Sequence, residues 1–277
     1  MEEKIKKVSE GFKKVIVING SPRNEKSCPN MKSKTIDILE DIISDNKYLI
    51  DFELVDLSVN TAQKPIIQPC KGCVSSGGGL MCNFPCNCYF KGDTQNPDLI
   101  SELDLYNKLQ QSDAFVIISP IHWFSVTSQV KAFFDRLVCV NLTATVGDME
   151  SNFDKENIKN VDVLGHVFKS GEYDELLKNH LEGKVAAFFI HGDNGANDYS
   201  DKKYPGTFDP SRDDIKIDDM IKPFVYQCRY SGIDVPDTLI KSIYVNEGVD
   251  YYSANLDKNE ILKKEIKDLF DKLDNYL

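Results

Sequence analysis

No stretch of the 277-residue chain is apolar enough over the length needed to span a bilayer, and its first residues, MEEKIKKVSEGFKK, hold no apolar core of signal-peptide length. A cytoplasmic protein is the expectation. Basic charge is also short, with 33 Lys plus Arg against 44 Asp plus Glu. A chain bound to nucleic acid through phosphate contacts runs the other way, so neither nucleic acid nor an anionic membrane surface is an expected partner. The glycine spacing matches neither the P-loop nor the dinucleotide fingerprint, which takes support from triphosphate and Rossmann-type binding. There is no internal repeat and no low-complexity tract.

What is present is a succession of apolar runs and helical periods. Lys14 to Asn19 (KVIVIN), Tyr48 to Leu57, Ala114 to Ser119, Lys184 to His191 and Leu239 to Val245 read as five strands. Between and after them, helical spacing runs through Ile38, Leu39 and Ile42, through Leu99, Leu103, Tyr106 and Leu109, through Val126, Val130, Phe133, Phe134 and Leu137, from Asp218 to Ser231, and from Leu256 to Leu277. Strands that are apolar nearly throughout, alternating with helices, predict a doubly wound parallel sheet covered on both faces. The whole of residues 1–277 reads as one domain, with a cysteine-rich loop over 58–97 and an insertion over 141–183.

Three loops at strand carboxyl ends carry candidate chemistry, since open α/β sheets bind ligands there. Gly20-Ser21-Pro22-Arg23 leads to a helix starting near Ser33-Lys34-Thr35, which outlines an anion site of backbone N–H groups, hydroxyls and cations. Ser119-Pro120-Ile121-His122-Trp123-Phe124-Ser125 is an aromatic loop suited to a flat cofactor. His191-Gly192-Asp193-Asn194-Gly195 is a third, glycine-rich turn. Residues 119–125 run on into VTSQVKAFFDRL, where Asp135 and Arg136 read as a structural pair on the helix.

Taken together, GSPR with SKT at a helix start, the SPIHWFSVTSQVKAFFDRL block and the HGDNGAN turn resemble the NAD(P)H-dependent FMN reductase family of the flavodoxin-like superfamily. The resemblance covers Lys14 to the last strand and implies a five-stranded sheet of order 2-1-3-4-5. It implies an FMN site made of Ser21, Arg23, Ser33, Lys34 and Thr35 for the phosphate, Pro120, Ile121, His122, Trp123 and Phe124 for the ring and ribityl chain, and His191, Gly192, Asp193 and Gly195 from the third loop. The first loop is lengthened by Asn24 to Lys32, which leaves both Ser27 and Ser33 as phosphate candidates. NADH or NADPH is the implied donor, with a quinone, nitro compound, flavin or metal ion as acceptor, and a homodimer or dimer-based oligomer as the assembly. No catalytic acid or base is obligatory, and His122 is the one candidate proton donor. An electron-transfer flavoprotein serving a protein partner, and a redox sensor, are the alternatives.

Five of the eight cysteines, Cys70, Cys73, Cys82, Cys86 and Cys88, fall within nineteen positions. In a reducing compartment such a group reads as thiols, metal ligands or redox groups rather than a disulfide framework. Its place after the second strand is similar to that of the cysteine motif of iron–sulfur flavoproteins. Zinc or an iron–sulfur cluster is therefore the alternative to metal-free thiols, which the cramped Cys86-x-Cys88 spacing favours.

Overall fold

The structure, a computed structural model, describes residues 11–26, 30–45, 47–58, 66–73, 82, 84–86, 88–123, 125–141, 179–194, 217–247 and 256–277. Most of the 141–183 insertion lies outside the described residues, as does the stretch containing Ser27.

Five strands form one parallel sheet: β1 (Lys13–Asn19), β2 (Ile50–Asp56), β3 (Ala114–Pro120), β4 (Val185–Asn194) and β5 (Ile240–Glu247). Their order is β2-β1-β3-β4-β5, the flavodoxin-like arrangement. The helices are α1 (Lys34–Ser44), α2 (Leu99–Glu102), α3 (Leu105–Gln111), α4 (Ser128–Arg136), α5 (Lys222–Tyr230) and α6 (Leu256–Tyr276). Among the described residues no helix is long and apolar enough to cross a membrane.

The near-continuous apolar strands follow from burial on both faces. Val15, Val17, Val116, Ile118, Ala187 and Phe189 point to one face and meet Ile38, Leu39 and Ile42 of α1 and Ile266, Leu269 and Phe270 of α6. The alternate residues Ile16, Ile18, Phe115, Ile117, Phe188 and Ile190 meet Val130, Phe133 and Phe134 of α4 and Phe224 of α5 on the other. A period of two thus supplies two cores from each strand. Because α1 follows β1 on one face and α4 follows β3 on the opposite face, the chain diverges between these adjacent strands. That divergence opens a crevice above their carboxyl ends.

Two readings of the sequence are corrected. The spacing from Leu99 to Leu109 suggests one helix, but Asp104 adopts left-handed φ 53°, ψ 41° and separates α2 from α3. Asp tolerates that conformation, and its carboxylate accepts from Asn107 Nδ2 at 2.7 Å. The stretch after Ile217 begins as a 3₁₀ turn, Ile217–Met220, before α5, whose chain then turns at Gly232 with φ +67°.

Candidate functional site

The three strand-end loops come together, bonded directly or through the residues that flank them. The first is joined at Gly20 to the residues on either side of the second. Its N–H donates to Ile118 O at 2.7 Å, and its carbonyl accepts from Thr127 Oγ1 at 2.6 Å. Thr127 is also the N-cap of α4, its hydroxyl accepting from Val130 N at 3.4 Å. The approach is so close that a Cβ on Gly20 would stand 2.3 Å from Val130 Cγ2. The second loop is joined to the third through Ile121 N, which donates to His191 O at 2.7 Å. A Cβ on Gly192 would lie 2.9 Å from Ile121 Cδ1, and a register shift between Gly192 and Asp193 re-aims the end of β4 there. The first and third loops meet where Thr35 Oγ1 and His191 Nε2 lie 3.2 Å apart.

Around the first loop, Ser21, Ser33 and Thr35 are buried while Arg23 and Lys34 are exposed. Ser33 occupies the N-cap of α1 without its side chain capping the helix. The amino end of α1 therefore presents backbone donors toward the loop together with a hydroxyl not spent on them. Neither Arg23 nor Lys34 has an ion-pair partner among the described residues, whereas the neighbouring Lys32 is paired to Asp37 at 3.1 Å and Glu40 at 3.5 Å. Beneath the loop, Asn19 Nδ2 donates to Asp56 Oδ1 at 2.8 Å, and Ser58 Oγ to Asp56 Oδ2 at 2.6 Å.

Pro120 ends β3 opposite His191, and Ile121 is half-buried. His122 and Ser125 then exchange backbone bonds, His122 N to Ser125 O at 2.8 Å and Ser125 N to His122 O at 3.2 Å, closing a tight turn. Trp123 sits at its tip with φ +48° and is 92% exposed. A bulky residue there is an outlier, since such turn positions favour Gly, Asn or Asp. Partial desolvation, then the Arg23 charge, hold the His122 imidazole below its ordinary pKa.

Of the residues expected at the site, Ser21, Arg23, Ser33, Lys34, Thr35, Pro120, Ile121, His122, Trp123, His191 and Gly192 occupy these three connected loops. Asp193 continues β4, and Phe124 and Gly195 lie outside the described residues. Asn19 and Thr127, fully buried polar residues at the same strand ends, were not among the residues expected there. A Thr immediately before an apolar helical period is an N-cap signal that marks Thr127.

The five clustered cysteines lie elsewhere, on the flank covered by α2, α3 and α4. Cys73 Sγ and Cys88 Sγ are 3.1 Å apart. Burial and neighbouring thiols push Cys82 up to about 12, and burial, then hydrogen bonding to Cys73, does the same for Cys88. Among the described residues no three His, Cys, Asp or Glu side chains are grouped as a metal site. The flank is fastened by a buried ion pair. Arg136 Nη1 and Nη2 donate to Asp98 Oδ1 and Oδ2 at 2.9 and 3.2 Å, and Nη1 also to Gln68 O at 3.1 Å. Asp98 in turn accepts from Gln68 N and from Ser101 N, capping α2. This corrects the expected Asp135–Arg136 pair: successive helix residues face apart, and Asp135 pairs with Lys131 one turn back.

Among curated proteins none matches the sequence. Solved structures that align with this chain include general stress protein 14 from Treponema denticola in complex with FMN (14% identity, 96% of this chain and 99% of that chain, TM-score 0.45). A putative quinone reductase from Klebsiella pneumoniae aligns at 13% identity over 94% of this chain and 85% of its own, TM-score 0.49. An NAD(P)H:quinone oxidoreductase from Methanothermobacter marburgensis aligns at 12% identity over 94% and 96%, TM-score 0.48. The family model for NADPH-dependent FMN reductase matches residues 13–198, a span holding β1 to β4 and all three strand-end loops. The chain belongs to the NADPH-dependent FMN reductase family.

Proposed function

We propose that this protein is an FMN-dependent NAD(P)H oxidoreductase that passes electrons from a nicotinamide to a small acceptor such as a quinone, a nitro compound, a flavin or a metal ion. The observation that carries the reading is the mutual bonding of three strand-end loops over the β1/β3 divergence, with two cations left without ion-pair partners among the described residues at the amino end of α1. The residues fit the cofactor: Gly20 and Gly192 keep the loops close, and the Ser33 hydroxyl is not spent on its own helix.

Bound FMN supplies hydride acceptance and onward electron delivery. In this reading the chain's own groups do the placing. Arg23, Lys34, the Ser21, Ser33 and Thr35 hydroxyls and the N–H groups of α1 hold the phosphate. His191 orients the Thr35 hydroxyl through their 3.2 Å contact. Backbone groups of Ile121 to Trp123 line the ring, and the exposed Trp123 indole stands at the rim, where a planar partner can lie against it. With its pKa held down, His122 is neutral near pH 7 and serves there as a hydrogen-bonding group, donating a bound proton only at lower pH. NADPH is the expected donor and a homodimer the expected assembly.

Purified protein incubated with FMN and desalted should retain flavin absorbance, and NADPH should bleach it anaerobically. Colourless protein would overturn the proposal. Retained flavin that no nicotinamide reduces would instead favour an electron carrier working with a protein partner. Arg23→Ala should weaken FMN affinity roughly ten- to a hundredfold, the worth of a charged hydrogen bond of about 1.5–3 kcal/mol.

A further inference from the structure

The cysteine-rich flank takes no part in the reading above, yet it contains a built contact. Cys73 Sγ and Cys88 Sγ are 3.1 Å apart, and either can donate its S–H to the other. A disulfide spans about 2.0 Å, so bond formation closes the gap by roughly 1 Å. The two short segments that carry the sulfurs are already fastened to each other through residues beside them. Lys71 Nζ donates to Cys88 O at 3.3 Å, and its ammonium lies 4.5 Å from the Tyr89 ring centroid. Tyr89 OH donates to Pro69 O at 3.0 Å. Both cysteines are half-buried, within reach of a small solute, whereas Cys139 and Cys228 are enclosed in the core.

We propose that Cys73 and Cys88 form a dithiol–disulfide couple that exchanges with low-molecular-weight disulfides. In the first step the Cys73 sulfur attacks one sulfur of the small disulfide, whose S–S bond breaks. A mixed disulfide forms on Cys73, and one small thiol departs with the Cys73 proton. In the second step the Cys88 sulfur attacks the Cys73 sulfur, the mixed disulfide breaks, and the second small thiol leaves with the Cys88 proton. Two electrons pass from the pair to the small disulfide, which ends as two thiols. A Cys88 S–H donated across the 3.1 Å contact stabilises the Cys73 sulfur as it attacks first. The couple is tied into the flavodoxin-like frame, since Ile67 N donates to Gln129 Oε1 at 3.0 Å and Gln68 O accepts from Arg136, both on α4. It stands or falls independently of flavin binding.

The test is to equilibrate the full-length protein with oxidised glutathione, alkylate the remaining thiols, and map cysteine peptides by mass spectrometry. A Cys73–Cys88 cross-linked peptide is expected, with Cys139 and Cys228 alkylated. Cys88→Ser should leave glutathione trapped on Cys73, and Cys73→Ser should abolish both products. The proposal is overturned if both thiols stay alkylatable under excess disulfide, or if the cross-link joins a different pair. It is equally overturned if protein as isolated carries zinc or iron that blocks these thiols until chelated. The wild-type map decides the matter even where a variant fails to fold.

Discussion

The strand-end crevice and the cysteine-rich flank are both assembled from polar groups, but they spend those groups in opposite ways. On the flank the charges that fasten the elements together are turned inward. The Asp98 and Arg136 side chains are 0% exposed, and the aspartate binds the guanidinium, the Gln68 N–H and the α2 cap at once. At the crevice the polar backbone is used to pin loops, while Arg23 and Lys34 are left toward solvent. A buried pair costs desolvation that its hydrogen bonds must offset, and with Arg136 Nε unbonded among the described residues this one fixes geometry more than it adds stability. Exposed cations at a helix amino end contribute little to folding and remain available for a ligand. One region holds the frame, and the other is free to bind.

Substitutions can sharpen this contrast, and the largest effect is expected on the flank. Arg136→Met should destabilise the fold by about 3–5 kcal/mol, because it strands a buried carboxylate. Chemical denaturation reads the loss, and pairing the change with Asp98→Leu should recover part of it; equal stability of the single variant and wild type would remove the hub. Next comes Gly20→Ala, whose new methyl meets the stiff Val130 side chain, at a cost of about 1–3 kcal/mol. The double change with Val130→Ala should return much of the melting temperature, and the single variant should also lose FMN affinity. Thr127→Ala removes the cap of α4 and its bond to Gly20 O, an expected loss of about 1 kcal/mol by the same measurement.

The smallest effect is a titration. In the unfolded chain His122 binds a proton near pH 6.5, and in the folded loop it does so only at lower pH. The unfolded state therefore holds more protons between those two values. Stability is undiminished above about pH 6.5 and declines as pH falls from there to the folded pKa. NMR titration of the imidazole should show the depressed value, and Arg23→Ala should raise it. An unmoved titration would separate the first loop from the second.

The sheet was legible because burial on both faces forces long apolar runs such as Val15 to Ile18 and Phe115 to Ile118, and strand order followed from family likeness. The loop residues were legible as candidates because each sits directly after such a run. What could not be read were interactions that chain separation hides. Arg136 finds Asp98, thirty-eight positions away, while the adjacent Asp135 misled because adjacent helix positions face apart. The break at Asp104 was hidden because Leu99, Leu103, Tyr106 and Leu109 keep a helical period across it. Thiol spacing gave the cluster but not the partner of Cys73, which depends on how the segments carrying Lys71 and Tyr89 lie together.

The turn at the tip of the second loop has an experimental use. Trp123 is the sole tryptophan of the chain, and it is 92% exposed. Its emission should already be that of a solvated indole in the folded protein, so unfolding should shift the spectrum little. Quenching by a flavin or a planar acceptor should be large, because the fluorophore stands beside the crevice and no second indole dilutes the signal. Intrinsic fluorescence in this protein therefore reports ligand occupancy at the mouth of the crevice, while the folded state must be followed by circular dichroism.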